Sequence, residues 1–172
     1  MTPAYPPKRI LVPVDFGEAS ARAVAVADAL AREFGAQLEA VHVEALTAPP
    51  YFTMDQVKML EAQRTNARAA AERYLAAFLQ KHGAHGARVT VADGSPAEVI
   101  LQRASDADLI VMGTNDKSIA ARLWMGSVAE RVHRQAAVPV LIVRASESRS
   151  AAEHVAWLRH EAALRVNKRE EE

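Results

Sequence analysis

Five short runs of apolar residues, separated by longer amphipathic segments, restrict this chain to a narrow set of folds. Four runs are almost continuous in apolar residues, and the one at 88–92 is weaker. The strong runs are Ile10–Val14, Leu38–Val43, Leu109–Met112 and Val138–Val143. Strands that expose one face alternate apolar with polar residues, whereas continuous runs are typical of strands covered on both faces. The runs therefore predict a parallel sheet.

The intervals between these runs carry helical patterns. Segment 18–35 places apolar residues at spacings of three and four and ends at Gly35, and segment 53–82 does so before Gly83. Strand and helix thus alternate along the chain. This alternation predicts an α/β fold, a doubly wound five-stranded parallel sheet with right-handed crossovers and helices on both faces.

Two further helices have clear starts in the sequence. The third opens with Ser95 as a capping residue, Pro96 at the first helical position and Glu98 three residues after the cap. The fourth opens with Ser127 followed by Glu130, which has the spacing of a capping box. We expect both serine side chains to cap their helices, and Ser127 can do so beside a bound anion.

The chain of 172 residues has the length of one domain with an addition. We assign residues 1–145 to the α/β domain and residues 146–172 to a polar linker and C-terminal helix or tail. The helical pattern of this extension runs over 151–166, and the last six residues are mostly charged.

Composition removes several classes of function. The chain has no Cys, so it has no disulfide, thiolate nucleophile or Cys-ligated metal. Its 21 Lys and Arg balance 21 Asp and Glu with no basic stripe, which argues against nucleic-acid binding. We find no signal peptide and no apolar run long enough to cross a bilayer, so we expect a soluble cytoplasmic protein without a membrane partner. The six His have no ligand spacing, and we predict no metal site.

Ligands of doubly wound sheets bind beyond the carboxyl ends of the strands, where the strand order reverses. Asp15 follows the first strand, residues 112–118 span the end of the fourth strand and the loop after it, and Gly126 with Ser127 begins the fourth helix. A glycine beside a helix N-terminus exposes N–H groups that favour an anion. Asp15 either contacts such a ligand or holds the turn into the first helix.

Five sequence segments, in their order and spacing, resemble the universal stress protein family over residues 8–144. They are Ile10–Phe16, Gly94–Pro96, Asp108–Thr114, Gly126–Val132 and Val138–Val143. The resemblance implies the strand order 3-2-1-4-5, cytoplasmic dimers and, in one subgroup, ATP across the ends of the first and fourth strands. An apolar edge strand also invites pairing, so pattern and family agree on a homodimer through Val138–Val143.

The resemblance also implies a set of nucleotide-binding residues. Pro13, Val14 and Asp15 would line the adenosine side, and the backbone of Val43 would meet adenine. The ribose and phosphates would be held at the fourth strand and helix, by Met112, Gly113, Gly126, Ser127 and Val128.

One family position departs from the ATP-binding pattern. Asp116 stands where a second glycine belongs, and Ile119 replaces another frequent glycine, although the nine-residue spacing to Gly126 is kept. A carboxylate repels phosphate, but it can also reach a magnesium ion on ATP. We therefore predict a dimeric stress-response sensor or adaptor that binds ATP, with Mg²⁺, weakly or conditionally. The alternative is an interaction module with a degenerated pocket that binds no nucleotide.

The sequence offers no catalytic residue. It lacks the Gly-x-Ser-x-Gly elbow, the P-loop and the dinucleotide fingerprint. A phosphoacceptor receiver would explain Asp15, Asp93 and Thr114, but it needs an acidic pair after the first strand and Lys-Pro after the fifth, where Arg144 and Ala145 stand. At most a slow ATPase activity is consistent with this sequence.

Overall fold

The computed structural model describes residues 5–44, 54–114 and 126–145. Within these ranges five strands alternate with four helices. In chain order they are β1 Arg9–Pro13, α1 Glu18–Phe34, β2 Gln37–Glu44, α2 Met54–Lys81, β3 Arg88–Asp93, α3 Pro96–Ala104, β4 Leu109–Thr114, α4 Ser127–Gln135 and β5 Val140–Arg144. The predicted C-terminal extension, residues 146–172, lies outside the described residues.

The strands form one parallel sheet in the order β3-β2-β1-β4-β5. At its centre Ile10 pairs with Leu38 on one side and with Leu109 on the other. The doubly wound α/β prediction and the strand order 3-2-1-4-5 are both confirmed. The order reverses between β1 and β4, because the chain adds strands outward from β1 to one edge and then starts again at β4.

Helices cover both faces of the sheet, as predicted. On one face α1 and α2 pack on a cluster that includes the buried side chains of Leu30, Leu75 and Leu79. On the other face α3 and α4 contribute Ile100 and Val132 to a second cluster. A strand between two apolar layers is covered on both faces, which explains why the central strands are continuous apolar runs.

The glycines after α1 and α2 end these helices. Gly35 has φ 62 and ψ 31, and its N–H donates to the carbonyl of Ala31. Gly83 follows α2 with φ 91. Both are left-handed conformations that glycine adopts without steric cost, so the predicted helix ends are confirmed.

Two strand boundaries differ from the sequence prediction by two residues, and the others by at most one. β4 continues through Gly113 and Thr114, which pair with Val143 and Arg144 of β5. The sequence predicts both residues in the loop after the strand, because neither extends the apolar run. β5 begins at Val140 rather than Val138, so the ladder starts directly after Pro139, whose ring nitrogen has no hydrogen to donate.

The predicted capping box at Ser127 is wrong. Gly126 is the N-cap of α4, with φ −63 and ψ 156, and Ser127 is the first helical residue. Ser95 does occupy the N-cap of α3, but its side chain makes no cap hydrogen bond. Glu98 accepts instead from Arg131 of α4 at 2.9 Å. Glu98, which the sequence motif assigns to the cap of α3, is thus paired with Arg131 on the neighbouring helix.

The amino ends of the central strands are tied together by Asp108. Its Oδ2 accepts the backbone N–H groups of Lys8 and Arg9, each at 2.9 Å.

Over residues 5–44, 54–114 and 126–145 no helix combines the length and apolarity that a membrane crossing requires.

Candidate functional site

A cavity of about 290 Å³ opens at the carboxyl ends of β1, β2 and β4. This is the edge of the sheet at which the strand order reverses between β1 and β4, where ligands of such folds bind. The cavity is at the small end of ligand pockets, which measure roughly 300–1,000 Å³. Its walls come from the ends of these strands, the start of α1, α3 and the first turn of α4.

All nine residues that the sequence analysis assigned to a nucleotide site line this one cavity. They are Pro13, Val14, Asp15, Val43, Met112, Gly113, Gly126, Ser127 and Val128. The assigned set leaves out seven further lining residues, namely Ser20, Val41, His42, Pro96, Ile100, Thr114 and Ala129, of which only Thr114 lies in a segment that the sequence places at the ligand site. Three of them, His42, Thr114 and Ala129, are next to an assigned residue in the sequence, and this could have indicated them. Ile100 lines the cavity only because α3 packs across the end of β2, which no local motif shows.

The carboxylate of Asp15 is bonded within its own turn. Its Oδ1 accepts the N–H of Gly17 at 2.9 Å and the hydroxyl of Ser20 at 2.5 Å. The Asp15 N–H in turn donates to the Ser20 hydroxyl at 3.0 Å. Asp15 therefore holds the turn into α1, one of its two predicted roles, while it also lies exposed at the cavity wall.

Gly113 is required by the packing of α1. A Cβ built at this position would lie 2.5 Å from the carbonyl carbon of Ala19 and 2.7 Å from the nitrogen of Ser20. Both are backbone atoms, so no side-chain rotation can relieve the contact. The absence of a side chain at Gly113 lets the backbone of β4 touch the first turn of α1, and it serves this contact whether or not a ligand binds.

Thr114 links the end of β4 to the start of α4. The buried Thr114 hydroxyl accepts the N–H of Gly126 at 3.3 Å. Gly126 and Ser127 are exposed at the cavity wall, where the first turn of α4 presents backbone N–H groups. Glu130 pairs with Arg134, 3.6 Å away and one turn further along α4. This helix N-terminus can therefore accept an anion.

A group of aromatic rings lies behind the β1–α1 turn. Phe16 contacts His42, Tyr74 and Phe78 at centroid distances of 4.5, 4.7 and 5.4 Å. Phe78 also contacts His82 at 4.6 Å. Desolvation, with a smaller effect from the neighbouring Lys81 charge, lowers the pKa of His82. Because this pKa lies below the ordinary value for histidine, the imidazole of His82, at the outer end of the group of aromatic rings, is neutral at pH 7.

Asp116 and Ile119, the two departures from the glycine pattern, lie outside the described residues. Within the part of the chain that the structure describes, no group of three or more His, Asp or Glu side chains is arranged to hold a metal ion.

Comparison with known proteins matches the universal stress protein family over residues 6–144. A universal stress protein of Thermus aquaticus is 36% identical over 143 residues, and the match covers 80% of this chain and 98% of that protein. The structure of UspA from Lactobacillus plantarum has a TM-score of 0.59 at 27% identity, covering 80% of this chain and 97% of its own. A universal stress protein in complex with cAMP has a TM-score of 0.56 at 25% identity, covering 81% and 98%.

The two cavity glycines give predictions of different size for substitution by alanine. Gly113→Ala forces two backbones apart, and we expect it to lower the free energy of unfolding by about 3 kcal/mol. No atom of the described residues lies within 4 Å of a Cβ built at Gly126, so Gly126→Ala should cost only about 1 kcal/mol as a poorer N-cap. Urea denaturation of both variants measures the difference. Equal losses would contradict the close contact between β4 and α1.

Proposed function

This chain belongs to the universal stress protein family, and we propose that it is a cytoplasmic stress-response protein that binds an adenine nucleotide in the 290 Å³ cavity. ATP with Mg²⁺ is the nucleotide we assign, bound weakly or conditionally. The protein would act as a dimeric sensor or adaptor rather than as a dedicated enzyme.

The convergence of the nine assigned residues on one cavity is the observation that carries this proposal. Three of them lie at the end of β1 and three at the start of α4, more than 100 residues apart in the chain, and the other three come from the ends of β2 and β4. A related structure that contains cAMP supports an adenine nucleotide as the class of ligand.

The cavity walls suit the two halves of such a ligand. Val43, Ile100 and Val128 provide apolar surface for a planar base. The exposed N-terminus of α4 lies at the same cavity and offers N–H groups and a favourable dipole to phosphate oxygens. Because the enclosed volume is small, we place adenosine within it and the outer phosphates over Gly126 and Ser127.

The hydrogen bonds of Asp15, whose carboxylate lies at the cavity, are consistent with binding without dedicated catalysis. Asp15 Oδ1 accepts bonds from Gly17 and Ser20, so the contacts of this oxygen hold the turn into α1 and are not directed at a substrate proton, as those of a general base are. We assign no catalytic residue, and we expect any hydrolysis of ATP to be slow.

Substitutions of Ser127 distinguish an effect on phosphate binding from an effect on the stability of α4. Ser127→Glu puts a negative charge in the first turn, where the helix dipole favours it, so stability should stay equal or rise slightly. The same charge repels a phosphate about 4 Å away by roughly 1–4 kcal/mol. We expect calorimetry to show at least fivefold weaker binding of Mg·ATP.

Ser127→Gln is the matched control, because it has nearly the same shape without the charge. It should bind Mg·ATP more tightly than Ser127→Glu. Equal affinities of the two variants would contradict phosphate binding at α4. The absence of heat and of a thermal shift with the wild-type protein at millimolar ATP would exclude ATP as the nucleotide.

The second candidate function is an interaction module without a nucleotide. The replacement of two pattern glycines by Asp116 and Ile119 favours it, because Asp brings a negative charge to a position where close backbone approach to phosphate is expected.

Substitution of Asp116 by glycine discriminates between these functions. We expect Asp116→Gly to strengthen an ATP affinity that the wild-type protein already has, because a repulsive charge is removed. Calorimetry with Mg·ATP on both proteins is the measurement. Binding by the variant alone would favour the interaction module, in which the natural pocket is inactive.

The proposed homodimer forms through the segment Val138–Val143, most of which is the edge strand β5. Val140, Leu141 and Ile142 are half-buried in the single chain although they lie in an apolar run. An edge strand of this kind leaves main-chain groups and apolar surface available to a second copy.

A charge on β5 should dissociate this dimer. We expect sedimentation to give the wild-type chain twice its 18.7 kDa mass, and Leu141→Lys to sediment as a monomer because pairing would bury the ammonium group. Arg144→Lys, which keeps the charge of an exposed β5 residue, is the control and should stay dimeric. A dimeric Leu141→Lys protein would place the interface elsewhere.

A further inference from the structure

The turn between β1 and α1 contains an unusual backbone conformation. Phe16 has φ 63, although it is neither glycine nor a short polar residue. A bulky side chain in the left-handed region is an outlier that persists only when surrounding contacts hold it. Phe16 lies between Asp15, which lines the cavity, and Gly17, the N-cap of α1.

Hydrogen bonds hold this turn from within. Asp15 Oδ1 accepts the N–H of Gly17, two residues later, at 2.9 Å, which is the geometry of an Asx turn. The buried Ser20 hydroxyl accepts the N–H of Asp15 at 3.0 Å and donates to its Oδ1. These bonds join the cavity residue to the first turn of α1.

The aromatic ring of Phe16 holds the turn from outside. It contacts Tyr74 and Phe78 of α2 edge to face, with ring planes at 67° and 82°, the arrangement that aromatic pairs favour. It also contacts His42 of β2 at 4.5 Å. The ring thus joins the turn to two separate elements.

His42 extends this attachment to the backbone of β1. Its Nδ1 lies 2.7 Å from the carbonyl oxygen of Val14, and because a carbonyl only accepts, Nδ1 carries the hydrogen. The N–H of Val14 donates to the carbonyl of Val41 at 2.8 Å. Both main-chain groups of Val14 are therefore bound to β2, and Val14 and Asp15 are cavity residues.

We propose that Phe16 is a positioning residue of the cavity: its ring, packed on His42, Tyr74 and Phe78, keeps the left-handed turn that places Val14 and Asp15 for the ligand. This inference rests on the proposed nucleotide binding. Affinity falls in proportion to the fraction of molecules that have the competent conformation. By reciprocity, bound ligand strengthens the attachment of α2 to the turn.

Substitution of Phe16 by alanine and by glycine distinguishes the effect of the backbone conformation from the effect of the ring. Both substitutions remove the ring, but only alanine keeps the steric cost of the left-handed conformation. We expect Phe16→Ala to bind Mg·ATP about tenfold more weakly than Phe16→Gly. The exchange of the Gly17 amide hydrogen, measured without ligand, should be faster in Phe16→Ala because the turn is populated less.

Two further variants complete the experiment. Tyr74 is 61% exposed, so Tyr74→Ala should fold normally and still weaken binding by loosening the ring of Phe16. Phe34→Ala is the matched control, since Phe34 is a half-buried aromatic residue at the far end of α1 that contacts Tyr5. It should lower stability without changing the affinity or the Gly17 exchange.

The outcomes are distinct. Equal affinities of Phe16→Ala and Phe16→Gly, with equal Gly17 exchange, overturn the positioning role while the proposed function stands. If the wild-type protein binds neither Mg·ATP nor cAMP, the proposed function is overturned, and the role of Phe16 in binding with it. A tenfold difference that follows the exchange rate supports the inference.

Discussion

The cavity depends on direct contact between β4 and the first turn of α1. Gly113 makes this contact possible, because a Cβ there would lie 2.5 Å from the backbone of Ala19. Since α1 follows β1 and β4 pairs with β1, the contact brings two central strand ends and a helix start to one place. The cavity and the turn that carries Asp15 are built on this arrangement.

The polar groups around the cavity are largely bonded to the protein itself. The Asp15 carboxylate holds Gly17 and Ser20, and the Thr114 hydroxyl accepts from Gly126. In the proposed binding mode, the apolar walls and the backbone N–H groups of α4 then make most of the contacts with the ligand. These contacts suit the binding of a ligand by its shape and its anionic end, as proposed above, more than they suit proton transfer.

Sequence patterns predicted the elements well and some of their ends poorly. Apolar runs located all five strands, but Gly113 and Thr114 belong to β4, because pairing with β5 rather than apolar character extends the strand. Capping spacing suggested Ser127, yet Gly126 is the N-cap of α4. The nine assigned residues do line one cavity, whereas His42 and Ile100 had no motif to indicate them.

The amino-acid sequence by itself determined the alternation of strands and helices and the two buried faces. These follow from periodicity and local backbone preference, which act over a few residues. Only the tertiary structure decided that Glu98 pairs with Arg131, that Gly113 serves α1, and that Phe16 is held in a left-handed turn. The energies of these contacts depend on groups brought together from distant parts of the chain. The spacing of residues along the sequence does not indicate those neighbours.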